Sequence, residues 1–260
     1  MMVFSLLDNL FNSRHYPKPS QQSHLDILSI LPLKLLPANM TKFSRIVPAL
    51  LTEDPKALET MLRQAQTFTD YVQVDIMDGQ FVPSRSITWK HLAAIKTKLS
   101  WEAHLMVLHP EEQFAGFKQA GAKKVVFHYE ATPSPKDVIS FARNLGLGVG
   151  LAVNPETPVS SILPLTSEID SVLFLSVVPG FYGSKFIPEV LDKIEEFRRA
   201  CPGIEIGIDG GIKGSNIAQI ARAGADVICV GSAIFLQPDS AASFRHLQSL
   251  AKEISQHKPK

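Results

Sequence analysis

Two aspartates near the ends of apolar runs are the residues best suited to chemistry. Asp75 is the next-to-last residue of the run YVQVDI, and Asp209 is the last residue of the run IEIGID. A third run, WEAHLM, contains His104. Two carboxylates on opposite sides of a small substrate can take a proton from one face and return one to the other, which is epimerisation. Because a proton next to a carbonyl is weakly acidic, such a site also needs an electrophile, and a divalent metal with His104 as a ligand is one solution. The alternative role for an aspartate at a strand end is structural, in a turn or as a helix cap. This role better explains Asp78, which precedes Gly79.

Three glycine-rich segments form a second group of candidates. They are VPGFYGSKF (178–186), IDGGIKGSN (208–216) and VGSAIF (230–235). In many barrels the loops after the last strands bind phosphate through backbone N–H groups, and Gly210, Gly211, Gly231 and Ser232 fit that place. Glycines also form turns, but three such loops at consecutive strand ends favour phosphate binding. Together with the carboxylates, they predict a phosphorylated small molecule as the substrate.

The elements that must position these residues alternate between strand and helix. Short β-branched apolar runs predict strands, and amphipathic stretches such as SNIAQIARA separate them. The predicted strands are residues 46–50, 71–76, 101–106, 124–128, 149–153, 171–176, 204–209 and 227–231. The phrase AGA occurs at 120–122 and 223–225, each time at the predicted end of a helix, where glycine suits a left-handed conformation.

Eight strands, each followed by a helix, predict an α/β fold with a single (β/α)₈ TIM barrel. A doubly wound open sheet is the competing fold, but no GxGxxG follows the first strand. Active sites of such barrels form at the C-terminal ends of the strands. The polar residues at or near those ends are Asp75, His104, His128, Asn154, Ser176 and Asp209.

Composition narrows the class of protein. The 260 residues are 45% hydrophobic and carry a net charge of +1, which is typical of a globular protein and gives no electrostatic reason to expect nucleic acid or an anionic membrane as a partner. Cys201 and Cys229 have no metal-ligand spacing and indicate no disulfide framework. We therefore expect a cytoplasmic protein, and we also expect it to form a homo-oligomer.

The N-terminal residues 1–41 differ from the rest of the chain. The apolar run LDILSILPLKLLP is interrupted by prolines and a lysine and is too short to span a bilayer, and SRHYPKPSQQSH has the composition of a disordered tail. We interpret residues 1–41 as an extension or as the result of a misassigned start, with Met40 as the natural start. The barrel domain is predicted to occupy residues 42–260.

Several motifs resemble those of the ribulose-phosphate 3-epimerase family. VDIMDGQFVP is similar to the family's VDVMDGHFVP, AHLMV to HLMI, and LAVNPETP to ALNPATP. SVVPGFYGSKFIPEVLDKI is similar to TVNPGFGGQKFIPEVLEKI, and IGIDGGI and VGSAIF complete the set. The resemblance covers residues 45–236. It implies interconversion of D-ribulose 5-phosphate and D-xylulose 5-phosphate at C3.

The resemblance also implies roles for individual residues. Asp75 and Asp209 would be the acid/base pair and metal ligands, and His104 would be a third ligand that also contacts the substrate. The metal would be a divalent ion of the zinc, iron, manganese or cobalt type. Met77 and Met106 would border the reacting face. The residues implied in phosphate binding are Gly180, Phe181, Tyr182, Gly183, Gly210, Gly211, Gly231 and Ser232.

Four positions depart from the family pattern. Gln73 replaces a histidine that is the family's fourth metal ligand; its carbonyl oxygen can coordinate a metal but is a weaker donor than imidazole for zinc or iron. Ala49 replaces a serine, Gln80 a histidine, and Leu175 a methionine. The changes leave two alternatives open: a 3-epimerase for a six-carbon ketose phosphate of the allulose 6-phosphate type, or a barrel that binds sugar phosphate without turning it over.

Overall fold

The computed structural model describes residues 44–180 and 184–255 of the chain. The predicted extension, residues 1–41, lies outside the described residues, as do Phe181, Tyr182 and Gly183. The division of the chain near residue 41 therefore stays a prediction. Within the described ranges, no helix has both the length and the apolar character needed to cross a membrane.

Eight parallel strands form a closed barrel in chain order, and the last strand pairs with the first. They are β1 (Arg45–Leu50), β2 (Tyr71–Met77), β3 (Ser100–Met106), β4 (Lys124–His128), β5 (Gly148–Val153), β6 (Ser171–Leu175), β7 (Glu205–Asp209) and β8 (Val227–Val230). Every predicted strand is present, and no predicted strand end is more than about one residue from the observed end. The prediction of a (β/α)₈ barrel is confirmed.

Within the described residues, α-helices lie between most of the strands and after the last one. They are α1 (Pro55–Ala65), α2 (Trp89–Ala93), α3 (Glu111–Gln119), α4 (Pro135–Asn144), α5 (Val190–Ala200), α6 (Gly214–Ala223), α7 (Ser232–Phe235) and α8 (Ser240–Ser255). At the start of α1, the carboxylate of Asp54 accepts a hydrogen bond from the N–H of Lys56 at 2.9 Å, which satisfies one free donor of the first turn. The glycines of the two AGA phrases, Gly121 and Gly224, have φ angles of 102° and 103° and end their helices in the left-handed conformation.

One unit of the barrel differs from the predicted pattern, because no α-helix follows β5. The connection to β6 contains 3₁₀ turns at Val159–Ser161 and Leu163–Leu165 instead. Its sequence, NPETPVSSILPL, contains prolines at positions 155, 158 and 164. A proline lacks the N–H that a helix interior uses, and its ring collides with the preceding turn. The short turns are the structure that this spacing of prolines permits.

Alternation along the strands directs polar side chains into the barrel. In β2, Val72, Val74 and Ile76 belong to the outer core between strands and helices. Since successive side chains of a strand point to opposite faces, Gln73 and Asp75 point inwards. A second apolar cluster fills the inside of the barrel, and its buried members are Val47, Ala49, Val126, Ala152, Leu173, Leu175, Val227 and Cys229.

Candidate active site

Two carboxyl groups and an imidazole meet at the C-terminal ends of the strands. Asp75 in β2 is paired in register with His104 in the neighbouring β3, and Asp209 is the last residue of β7. Asp75 and His104 are buried, whereas Asp209 is partly exposed. One possible ligand atom from each of the three residues lies within 4.8 Å of the others. The barrel thus brings together three residues from separate parts of the sequence.

The close contacts in this cluster shift the pKa values of Asp75 and His104. Nδ1 of His104 lies 3.0 Å from Oδ1 of Asp75 and 3.5 Å from Oδ2 of Asp209. Burial raises the pKa of Asp75, and the neighbouring charge of Asp209 raises this pKa further. Burial lowers the pKa of His104, but hydrogen bonds with Asp209 and Asp75 outweigh burial and raise this pKa to about 9. A protonated His104 therefore balances carboxylate charge in the site as it stands.

Gln73 lies between the two carboxyl groups, one inward-facing position before Asp75. Its amide Nε2 donates hydrogen bonds to Oδ1 of Asp75 at 2.8 Å and to Oδ2 of Asp209 at 2.7 Å. Its Oε1 accepts a hydrogen bond from the thiol of Cys229 in β8 at 3.1 Å. All of the amide's neighbours are buried or partly buried, and Gln73 itself has no exposed surface. The amide is therefore held with its nitrogen towards the carboxylates.

The donor set of the site is compatible with a divalent metal ion. Two carboxylates and one imidazole are ligand types that zinc, iron, manganese and cobalt accept, and the cluster of Asp75, His104 and Asp209 is compact enough to share one ion. An amide nitrogen that carries two hydrogens does not coordinate a cation. Coordination by Gln73 through its oxygen would require the amide to turn over, and its role as a ligand stays a prediction.

Glycine-rich loops line the same cavity as the carboxylates. The cavity-lining residues that were predicted to bind phosphate are Gly180, Gly210, Gly211, Gly231 and Ser232. Gly210 has a φ angle of 111°, and a Cβ atom at this position would lie 2.5 Å from Cγ2 of Val177. Backbone conformation and lack of space therefore both require glycine there. This steric requirement is enough to explain why residue 210 is a glycine. The observation that fits a phosphate-binding role is instead the position of Gly210 in the cavity wall, beside the carboxylates.

Other positions singled out from the sequence are divided between the cavity wall and the surface. Met77 and Met106, paired in register on β2 and β3, are buried and line the cavity. Ala49 and Leu175, two of the departures from the family pattern, also line it. Gln80 is exposed in the loop after β2 and is not one of the lining residues. The change at position 80 therefore does not alter the cavity wall.

Asp78 is a turn residue, as the sequence predicted. Its Oδ1 accepts hydrogen bonds from the N–H groups of Gln80 and Phe81 at 2.8 and 2.9 Å. Its Oδ2 accepts a hydrogen bond from the N–H of Leu108 at 2.9 Å. Both carboxylate oxygens are thus occupied by loop amides, and the role of Asp78 is to order the loop.

Two residues without a predicted role extend the network away from the cavity. Nε2 of His128, at the end of β4, lies 3.0 Å from Nε2 of His104. Two residues further on, Oε1 of Glu130 accepts hydrogen bonds from the N–H of Asn154 at 2.9 Å and from the hydroxyl of Thr157. The sequence signal for His128 was its position at the end of the strand that follows the strand of His104. Nothing in the sequence pointed to Glu130.

Comparison with known proteins establishes the family. The model of the "Ribulose-phosphate 3 epimerase family" matches residues 45–235. This chain belongs to that family. Among curated members, the ribulose-phosphate 3-epimerase of Schizosaccharomyces pombe is 38% identical over 198 residues, which are 74% of this chain and 87% of the relative. That of Mycobacterium tuberculosis (strain H37Rv) is 36% identical over 219 residues, or 82% of this chain and 95% of the relative. That of Aquifex aeolicus is 40% identical over 187 residues, or 70% and 84%.

The family membership confirms the predicted class of protein, an epimerase and therefore an isomerase. Solved structures add support for the fold alone. The 3-hexulose-6-phosphate synthase of Salmonella typhimurium superposes with a TM-score of 0.61 at 19% identity and covers 81% of this chain and 99% of its own. The orotidine 5'-phosphate decarboxylase of Pyrococcus horikoshii superposes with a TM-score of 0.57 at 17% identity, with coverage of 80% and 99%.

Proposed function

We propose that this enzyme interconverts D-ribulose 5-phosphate and D-xylulose 5-phosphate at C3, with Asp75 and Asp209 as the proton carriers. The observation that carries the proposal is the pair of carboxyl groups on β2 and β7, which line one cavity together with glycine-rich loops. Membership of the ribulose-phosphate 3-epimerase family supports the choice of substrate.

The two carboxyl groups have the properties that proton transfer at a carbon next to a carbonyl requires. Asp75 and Asp209 belong to strands that are separated by β8 and β1 around the barrel, so they can approach a bound sugar from different sides. One takes the C3 proton as a base, and the other, in its acid form, returns a proton to the opposite face. Burial and the charge of Asp209 raise the pKa of Asp75. A raised pKa lies closer to the working pH, at which a general acid/base needs both its acid and its base form.

The glycine-rich loops are proposed to hold the phosphate group. Gly180, Gly210, Gly211 and Gly231 lie in the loops after β6, β7 and β8, and Ser232 is the first residue of α7. Backbone N–H groups can approach an anion most closely at glycine, where no side chain intervenes. We include Phe181, Tyr182 and Gly183 in this proposal on the strength of the sequence resemblance. Binding of the distant phosphate would fix the position of C3 relative to both aspartates.

Asp75, His104 and Asp209 are also proposed to bind a divalent metal ion of the zinc, iron, manganese or cobalt type. When bound, such an ion supplies the positive charge that stabilises an enediolate. His104 would present Nδ1 to the ion, since this atom lies nearest to both carboxyl groups. We propose Gln73, through its oxygen, or a water molecule as the fourth ligand.

A six-carbon ketose phosphate is a second candidate substrate. Ala49 and Leu175 line the cavity at positions where the family has a serine and a methionine. The alanine removes a hydroxyl group, and both changes alter the surface that a sugar would contact. Comparison of kcat/KM for ribulose 5-phosphate and for allulose 6-phosphate decides between the substrates. A higher value for the hexulose phosphate would overturn the choice of the pentulose phosphate.

We further infer that the enzyme is a cytoplasmic homo-oligomer. Both cysteines, Cys201 and Cys229, are free, which suits a reducing compartment. Phe141 and Leu236 are large apolar side chains that are 44% and 71% exposed, and such residues are candidates for contact between copies. Light scattering coupled to size-exclusion chromatography measures the oligomeric state, and a monomeric mass at micromolar concentration would contradict the inference.

Exchange of the C3 proton with solvent tests the central proposal. In D₂O, conversion of ribulose 5-phosphate by the wild type should place deuterium at C3 of xylulose 5-phosphate. Asp75→Asn and Asp209→Asn keep the side-chain shape but lose the base, so each should lower turnover by at least ~10²-fold. Asp78→Asn is the matched control, since this carboxyl group serves loop amides only. It should retain turnover of the same order as the wild type.

The direction of exchange separates the two aspartates. One variant should still exchange the C3 proton of ribulose 5-phosphate without forming product, and the other should exchange only that of xylulose 5-phosphate. We assign Asp75 to the ribulose side. Near-normal turnover in both variants would overturn the two-carboxylate mechanism. Equal loss of exchange from both sides would indicate loss of the metal, and excess metal should then restore one of the two exchanges.

A further inference from the structure

His104 is held from two sides. Its Nδ1 faces Asp75 and Asp209, as described above, and its Nε2 lies 3.0 Å from Nε2 of His128. Neither imidazole has exposed surface, and the rings are nearly parallel, with centroids 5.2 Å apart. Two ring nitrogens at this distance share one hydrogen, which either ring can carry. The position of this hydrogen determines which nitrogen of His104 has a free lone pair.

Glu130 occupies the other side of His128. Its Oε2 lies 3.5 Å from Nδ1 of His128, and neither atom has a hydrogen-bond partner among the described residues. Its Oε1 is held by the N–H of Asn154 and the hydroxyl of Thr157. Burial raises the pKa of Glu130, but the neighbouring His128 ring and the hydrogen bonds from Thr157 and the N–H of Asn154 outweigh burial and lower this pKa. A fixed, ionised carboxylate thus faces Nδ1 of His128.

The charge of Glu130 selects one arrangement of hydrogens along this row. A carboxylate attracts an N–H and repels a lone pair, so neutral His128 carries its hydrogen on Nδ1. Nε2 of His128 then has the lone pair and accepts the Nε2–H of His104. When a bound metal ion takes the place of the second proton of His104, the lone pair lies on Nδ1, the atom that faces the two aspartates. A metal-binding histidine needs this form, and a partner for its second nitrogen commonly enforces it.

We propose that His128 and Glu130 are positioning residues that fix the tautomer of His104, so that Nδ1 is presented as a metal ligand. This inference rests on the proposed function, in which His104 binds the metal. It assigns roles to two residues that do not line the cavity. Glu130 fixes the tautomer of His128, and His128 in turn fixes the tautomer of His104. We refer to this sequence as the order of action.

Two substitutions of His128 separate positioning from mere packing. His128→Gln retains an oxygen that can accept the Nε2–H of His104, whereas His128→Met has a similar length but no strong acceptor. We expect Co²⁺, titrated calorimetrically into the metal-free full chain, to bind His128→Gln nearly as tightly as the wild type. Binding to His128→Met should be weaker by about 10–100-fold, the usual effect of removing such a partner. A packing role would change both variants equally, and equal affinities for the two would overturn the proposal.

A double-mutant cycle tests the role of Glu130. Glu130→Gln should weaken Co²⁺ binding by about 10-fold or more in the wild-type background, because an amide can face Nδ1 with either its donor or its acceptor. In the His128→Gln background it should have no further effect, since no tautomer remains to be selected. Glu156→Gln removes an exposed charge nearby and should leave affinity unchanged. Equal effects of Glu130→Gln in both backgrounds would overturn the proposed order of action.

The outcomes distinguish this inference from the proposed function. If His104→Ala loses Co²⁺ binding while His128→Met keeps it, His104 is a ligand but the positioning role fails. If His104→Ala binds Co²⁺ as the wild type does, both the ligand and the positioning role fail. The deuterium experiment on the wild type tests epimerisation independently of all these titrations.

Discussion

Replacement of Gln73 by histidine is the sharpest test of how this site differs from the family pattern. We expect Gln73→His to bind a divalent metal more tightly than the wild type. In the wild type, the amide nitrogen donates hydrogen bonds to the carboxylates of Asp75 and Asp209 at 2.8 and 2.7 Å. For the oxygen to coordinate an ion, the amide must turn over and both bonds must break. An imidazole at the same place offers a lone pair without this loss.

The magnitude follows from these two hydrogen bonds. A hydrogen bond to a charged group contributes about 1.5–3 kcal/mol, so breaking two costs about 3 kcal/mol at the lower bound. Because each 1.4 kcal/mol is a factor of ten in affinity, the difference in dissociation constant should be about 10²-fold. The loss of the bond from the Cys229 thiol adds to this difference.

Competition with a coloured chelator measures the affinity of each metal-free protein for Zn²⁺. Gln80→His is the matched control, because it introduces the same side chain at another position where the family has histidine, but in an exposed loop. It should bind Zn²⁺ as the wild type does. If Gln73→His and the wild type differ by less than about threefold, the argument from the amide orientation is refuted, since this ratio corresponds to less than about 1 kcal/mol.

Three further predictions concern the extension, the cysteines and the phosphate loops. A chain that begins at Met40 should melt at the temperature of the full chain and keep its kcat/KM, and a lower value of either would mean that residues 1–39 contribute to the barrel. Cys201, which is partly exposed, should react with a thiol reagent at pH 8 well before Cys229. Burial raises the pKa of the Cys229 thiol, so little of Cys229 is in the reactive thiolate form. Equal rates would contradict the buried position of Cys229. Gly210→Ala should lower the free energy of unfolding in urea by about 1–3 kcal/mol, because its Cβ would meet Val177, and an unchanged unfolding midpoint would contradict the strain.

The sequence predicts the strands of this barrel well because each strand carries its own local signal. β6, for example, is Ser171 followed by the apolar run VLFL, and such a run is typical of a strand covered on both faces. The connection after β5 was less predictable. A helix was expected there from the repeating pattern of the fold, whereas the local proline spacing decided the outcome.

The candidate site was predictable where strand ends determine position. Asp75 and His104 were expected to meet because parallel neighbouring strands end at the same side of the barrel, and they are paired in register. The orientation of the Gln73 amide was not predictable, since the sequence does not tell which end of an amide faces a neighbour. The role proposed for Glu130 was also hidden, because a spacing of two residues does not tell whether its carboxylate faces Nδ1 of His128.

Closure of the barrel has a consequence for how copies of this protein meet. Since β8 pairs with β1, every barrel strand has a neighbour on both sides, and the sheet offers no edge to which another chain could add a strand. Contact between folded copies of the barrel must therefore use side chains of its helices and loops, and it cannot extend the sheet. Among the described strands, unpaired edges arise only when the barrel opens. The rate of barrel opening, rather than the frequency of collision between native molecules, should therefore limit aggregation.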